Sequence, residues 1–370
     1  MITSVGPDVR TSAAAFRAGI SRARALDHFT ALDDEETDVG PISGHVAAPN
    51  AIHTEGLGKI VALGASALRA LFEATGPINT RRTGFYVAVP NHSLREEVFV
   101  DVGALVTGTR PAAASSDDDR PRSIRIAEQC HDHLLERLFR TANVELAPTD
   151  RGITFGDNTA FLRAVDAAYL ALTSGAVERC IVGGIDSYVD APSLEWGMAT
   201  RRMKSDTNPT GFAPGEAAVF IELTNDSSSS SVGFSRLSQP GFATESGQLG
   251  VSPPEPPLGL GMVQAVREAL THAQCSVGLI VADLNGDAVR AMDWGSAVVR
   301  LAAEYPAFRD APVWVPAMSF GETGCASAGL AIGVAVQAFR RGYARTDSML
   351  IASSSVTGDR GAVVVSAAPR

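Results

Sequence analysis

Short apolar runs separated by stretches of helical periodicity recur from one end of this chain to the other, and that alternation limits its fold more than any other feature. Strand-like runs stand at residues 85–89, 180–184, 217–223, 279–283, 313–317, 349–353 and 362–366, with shorter ones at 2–6 and 232–235. Between them lie helical patterns at 12–20, 57–74, 124–140, 160–174, 261–273, 294–303 and 326–343. In the second of these, Ile60, Leu63, Ala67, Leu68 and Leu71 share one face of a 3.6-residue period. Gly175 follows the fourth as a C-terminal cap. Strands alternating with helices predict an α/β protein whose parallel or mixed sheets are covered on both faces.

Composition supports this reading. The 370 residues are 45% hydrophobic and 19% charged, which suits a folded α/β chain and not a disordered one. Aromatics are only 6%, while Ala, Val and Gly abound, so helices can approach a buried sheet closely. The run Asp226-Ser227-Ser228-Ser229-Ser230-Ser231 is the candidate linker, and a similar strand–helix order on each side suggests an internal duplication. The expected organisation is an N-terminal half at 1–225, the linker at 226–231 and a C-terminal half at 232–370.

The formal net charge is −10 and no dense Lys/Arg stripe occurs, which argues against a nucleic-acid partner. The sequence Arg201-Arg202-Met203-Lys204 is a local basic patch, open to reading as a docking site or as plain surface. No uninterrupted apolar run reaches the ~18 residues of a membrane span, and no signal-like segment opens the chain, so the expectation is a cytoplasmic protein with no membrane partner. Cys130, Cys180, Cys275 and Cys325 lie far apart, and Cys180 and Cys275 are read as reduced core residues. Cys130-His131-x-His133 does not converge on one helix face as metal ligands would. Gly183-Gly184 and Gly321-x-x-Gly324 lack the following Lys-Ser/Thr of a phosphate loop. Asp117-Asp118-Asp119 reads as a solvated loop. No metal or cofactor is expected.

Four segments carry a family resemblance. Helix 161–175 followed by 180–187, the sequence Gly211-Phe212-Ala213-Pro214-Gly215-Glu216 entering a strand, the turn Phe320-Gly321-Glu322-Thr323-Gly324, and the turn Gly358-Asp359-Arg360-Gly361 arrive in the order seen in β-ketoacyl synthases. The chain resembles that thiolase-like family from residue 2 to residue 366. The resemblance implies a layered αβαβα fold made of two duplicated halves. It also implies a dimer, either with itself or with a ketosynthase homologue, and a site where two helix N-termini converge. There, backbone N–H groups and helix dipoles stabilise a thiolate and an oxyanion.

The residues such an enzyme needs are replaced. The position of the nucleophilic cysteine corresponds to Asn158, whose amide lone pair is delocalised and cannot start thioester chemistry. The first histidine position corresponds to Asn285, the second catalytic position to Glu322, and the gatekeeper phenylalanine to Thr357. Thr159 is a weaker hydroxyl candidate and Cys325 a small core residue. Two readings follow. In one, Asn158, Asn285 and Glu322 form a new polar site with Glu322 as a general base. In the other, the pocket has lost its chemistry and these groups satisfy helix termini.

The expected function is therefore that of a catalytically degenerate ketosynthase-like protein, acting as a binding or scaffold partner in the manner of a chain-length factor. An adaptor of a bacterial contractile (type VI-like) secretion system is one alternative. An acyl-thioester decarboxylase or hydrolase using Asn158 and Glu322 is another. Acyl thioesters and acyl carrier protein are the candidate ligands.

Overall fold

A computed structural model describes residues 1–27, 29, 40–47, 54–76, 82–91, 133–225, 235–245 and 256–368. The serine linker, Asp117 to Asp119, and Cys130 with His131 lie outside the described residues.

Beside a small antiparallel ribbon of β1 (Arg24–Ala25) and β2 (Ser43–Gly44), two sheets dominate the fold. The first contains β3 (Thr83–Pro90), β4 (Asp150–Gly156), β5 (Arg179–Ser187) and β6 (Glu216–Thr224) in the order β4-β3-β5-β6. The second contains β9 (Leu279–Ala282), β10 (Val313–Trp314), β11 (Ser348–Ser354) and β12 (Asp359–Ala367) in the order β10-β9-β11-β12. In each, the strand earliest in sequence is central and parallel to both its neighbours, and the last strand is antiparallel to the third. The edge additions correspond too. Ile2 bridges Ala218 on β6, while β7 (Ser235–Leu237) and β8 (Gly241–Thr244) pair with β12. The duplication suggested by the sequence is thus present in the topology, although the expected strand at 2–6 is reduced to isolated bridges.

Side chains alternate along the strands, and the two faces feed different cores. Phe85, Val87 and Val89 face outward onto α2 (Gly56–Thr75) and helical residues 133–142, whereas Tyr86 and Ala88 face inward. In the second sheet, Leu279, Val281, Met349 and Ile351 face inward. Ile280, Ala282, Leu350 and Ala352 face out onto α5 (Leu260–Ala273) and α6 (Ala288–Glu304). Both inner faces close on one central layer, formed by α3 (Ala160–Thr173) and α8 (Ser327–Arg340). The order is helix, sheet, helix, sheet, helix.

The central pair explains the excess of small residues. A Cβ on Gly329 of α8 would run into the side chains of Val219 and Phe161, so only glycine lets α8 approach α3 and β6 this closely. Phe161 and Leu162 are fully buried there, each worth about 2 kcal/mol of hydrophobic stabilisation. The N-terminal helix α1 (Val9–Arg17) is capped by Asp8, whose Oδ1 accepts from the Thr11 amide at 2.8 Å. Its Phe16 packs edge-on against Trp314 of the second half.

Several elements are additional to the sequence reading, β4 and α4 among them. The edge strand β4 is half-exposed and begins with Asp150-Arg151, so it lacks an apolar run. Helix α4 (Ala191–Ala199) is announced by the N-cap Asp190, which accepts from the Ser193 amide at 3.1 Å, and by Pro192 in the first turn. The run expected at 313–317 is a strand only at Val313–Trp314 and then turns into the short helix α7 (Ala317–Phe320).

Candidate functional site

The seam between the halves lies where α3 and α8 begin. Asn158 stands just before α3, and the turn Gly324–Ala326 leads into Ser327 at the start of α8. Gly324 has a positive φ of 44°, and a Cβ there would collide with the carboxylate of Asp186, so the turn requires glycine. Asp186 Oδ2 accepts from the Cys325 amide at 2.9 Å, tying β5 to the second-half turn.

Three of the four candidate residues meet here. The Nδ2 of Asn158 donates to Glu322 Oε1 at 2.9 Å and to Ser327 Oγ at 3.2 Å. Asn285 Nδ2 donates to Glu322 Oε2. Thr357 is apart: it is exposed, and its hydroxyl reaches the seam only through Ser355, 2.7 Å away, which donates in turn to Asp157 Oδ2 at 2.8 Å. Thr159 is buried, and its hydroxyl forms no cap on α3.

The organising residue was missed in sequence. Arg290, on α6, is buried with only 4% of its side chain exposed, and it spans both halves. Its Nη1 donates to Glu322 Oε2 at 3.0 Å and to the Asp283 carbonyl at 3.0 Å, and lies 3.4 Å from Asp283 Oδ2. Its Nη2 donates to Asn158 Oδ1 at 3.3 Å. A signal for it existed: Arg290 shares a helix face with Trp294, Ala297 and Leu301, all buried, and a charge on that face demands a buried partner.

The donor count decides what the site can do. A carboxylate offers about four acceptor positions. Glu322 receives four donors: Asn158 Nδ2, Asn285 Nδ2, Arg290 Nη1 and the Gly324 amide at 2.8 Å. No lone pair is left to take a proton from a substrate. Asn158 is equally committed, with its amide nitrogen donating twice and its oxygen held by Arg290. The cavity beside these groups, lined also by Phe320, Ala328 and Ile351, has about 20 Å3 open to the centre of a water molecule. That is room for about one water.

Burial sets the electrostatics. It raises the Asp283 carboxyl to about 6, against the pull of Arg290 and the Ser354 amide. It raises Asp157 as well, against hydrogen bonds from Ser355 and Val356. Burial alone would lower Arg290, but Asp283, Glu322 and Asp287 together hold it protonated above its ordinary value.

Other expectations resolve separately. Cys180 is buried and its thiol is pushed up to about 12 by burial, as suits an inert core residue. Cys275 is exposed, just past the end of α5, and is not a core residue. Cys325 is buried, with its thiol donating to the Gly156 carbonyl at 3.3 Å. Arg202 is no free docking cation: it stacks over Trp196 and pairs with Asp287, the N-cap of α6. Among the described residues, no helix is long and apolar enough to cross a membrane, and no group of three or more His, Cys, Asp or Glu is placed to hold a metal ion.

No protein-family model and no curated protein matches the sequence. Solved structures do match in fold. The chain is similar to the ishigamide ketosynthase/chain length factor (TM-score 0.68, 17% identity), covering 100% of this chain and 97% of that one. It is similar to AntDE:AntF, a type II PKS acyl-carrier protein in complex with its ketosynthase (TM-score 0.72, 12% identity), again over 100% and 97%. A ketosynthase from module 6 of the bacillaene synthase of Bacillus subtilis 168 is matched with TM-score 0.68 and 12% identity, over 100% of this chain and 71% of that chain. The fold is the thiolase-like fold of the ketosynthases, as the sequence motifs implied.

Proposed function

We propose that this chain is a catalytically silent protein of the ketosynthase fold that acts by binding another protein, in the manner of a chain-length factor. The observation that carries this reading is the closed set of hydrogen bonds among Asn158, Glu322, Asn285 and Arg290. It stands between the two helix N-termini where an acyl enzyme would keep its nucleophile and base free. A general base needs an open lone pair and a carboxamide that polarises a carbonyl needs a free N–H. Neither group has one.

A partner suits the sheet edge. Among the described residues, β4 has β3 on one side and no strand on the other, and a seven-residue edge strand is a template for pairing with a second chain. The same reading places the boundary between halves at 226–231, with 1–225 and 232–370 on either side. It makes an acyl carrier protein or acyl thioester a ligand without turnover.

The test is intact-mass analysis after incubation with acyl and malonyl thioesters, with released carbon dioxide followed in parallel. No adduct and no release is the expected result. A stable adduct, or decarboxylation abolished by Asn158→Ala or Glu322→Ala, would overturn the proposal in favour of an acyl-thioester decarboxylase or hydrolase. Native mass spectrometry of the chain alone and with a ketosynthase homologue then separates a self-paired dimer from a mixed one.

A further inference from the structure

Exposed apolar side chains are not spread evenly over this molecule. Among the described residues, five of the ten large hydrophobic side chains that face solvent fall between residues 258 and 299. They are Leu258, Leu260, Val289, Met292 and Val299, each 44% to 68% exposed. Gly259 lies against α6, where a Cβ on it would strike the Ala297 nitrogen and the Asp293 carbonyl oxygen, so the two leucines border the turn of α6 that follows Met292. Val289, Met292 and Val299 lie on the solvent side of α6, whose other side buries Arg290, Trp294 and Leu301. From Ala288 to Val299, no exposed residue of α6 is charged. The leucines are also fixed in place. The buried carboxylate of Glu245 accepts from the amides of Leu258 at 2.8 Å, Gly259 at 3.1 Å and Gly261 at 2.5 Å. A backbone pinned in advance lowers the ordering cost of binding.

Area and charge select the occupant. Five half-exposed side chains amount to on the order of 500 Å2 of apolar surface, the size that marks an interaction site. A stable pair of whole domains needs about 800 Å2 from each. This face alone is therefore too small for a second copy and matches a single helix laid against it. Its neutral centre calls for an apolar stripe opposite, because a charge brought there would lose its water and gain no partner. At one end Arg300 is exposed and, among the described residues, donates only to the Ser296 carbonyl at 3.4 Å. A carboxylate is the group that matches it. Nothing stands within 4 Å of where a Cβ on Gly295 would be, which leaves a notch between Met292 and Val299 for a large side chain. We propose that the outer face of α6, with Leu258 and Leu260, is a docking surface for an amphipathic helix of another protein, with an apolar stripe and a carboxylate at the end that meets Arg300. The surface belongs to the second half, whereas β4 belongs to the first, and it does not depend on the silence of the seam.

Carbon-13 NMR of the methionine methyl groups tests this on the full chain, because Met292 lies in the surface and the exposed Met318 lies outside it. The probe is a synthetic helix of about five turns, with leucines along one face and glutamates on the other. Its control has the same composition, shuffled to break the stripe. The Met292 signal, assigned by its loss in Met292→Leu, should move with the helix and not with the control, while Met318 stays still. Val299→Asp should weaken binding about tenfold by setting an unpaired charge in the contact. Arg300→Glu should weaken it several-fold. Both positions are exposed, so neither change disturbs the core. A still Met292, equal movement of Met318, or equal binding of the shuffled peptide would overturn the proposal. So would self-association in sedimentation that Val299→Asp abolishes, since the face would then belong to a second copy. Detection of acyl transfer would sink the silent reading and leave this surface standing.

Discussion

The two halves share a strand order and a central helix each, and each holds an internal buried ion pair, yet among the described residues only the second sends a buried cation across the seam. In the first half the buried ion pair is internal: Lys59 of α2 meets Glu216 of β6 at 3.3 Å, with Ser187 and the Ala47 amide completing the carboxylate. In the second half Arg360 and Asp293 form another internal buried pair at 2.7 Å, and a further buried cation reaches out. Arg290 of α6 leaves its own layer and holds Asn158 at the start of α3. At the seam the first half supplies Asp157 and Asn158, while the second supplies Asp283, Asn285, Arg290 and Glu322. Duplicating a backbone repeats the burial of apolar faces, because that depends only on side-chain alternation. It does not repeat the chemistry, which depends on a few polar groups.

The sharpest way to break this comparison is to remove each cation. Arg290→Met should cost about 3–5 kcal/mol, because it leaves Glu322 and Asp283 buried without their partner. Denaturant unfolding should then separate into two transitions, one for each half. Lys59→Met should be destabilising by a similar mechanism within one half, and unfolding should stay a single transition. Equal behaviour of the two variants would mean that Arg290 does not join the halves.

Asn158→Ala should be milder, at about 1–3 kcal/mol by denaturant titration, since it strands one Arg290 donor and loosens one Glu322 oxygen without burying a bare charge. The smallest effect concerns pH. Folding raises Asp283 from 3.8 to about 6. Its contribution to stability is therefore present below about pH 4 and is lost as pH rises through about 6. Wild-type protein should lose on the order of 1 kcal/mol from this group between about pH 5 and about pH 7, and Asp283→Asn should not. Wild-type stability measured relative to Asp283→Asn should therefore fall as pH rises. A rise would reverse the sign assigned to Asp283.

The sequence was most legible where periodicity is strong. Helices α2, α3, α5 and α8 and strands β3, β5, β6, β9, β11 and β12 follow apolar runs closely. It was less legible where burial is partial. The strand β4 opens on two charged residues, and Ile2 pairs through a single bridge, so neither carries a clear period-2 signature. Cys275 was misread because an apolar neighbourhood in sequence ends just past α5, where the chain returns to the surface.

That Asn158 cannot act as a thiolate was determined by the sequence alone, since no fold can supply one from a carboxamide. The sequence also determined an α/β architecture with sheets covered on both faces, through local alternation, while the layering was implied by the family resemblance. What only the tertiary structure decided is how Asn158, Asn285 and Glu322 are engaged. Glu322 reads as a free carboxylate in one dimension and is a saturated acceptor in three, because Asn158 reaches it across 164 positions and Arg290 across 32. Hydrogen bonds between groups so far apart in sequence leave no periodic trace, and their count, not their residue types, distinguishes a catalytic base from a clasp.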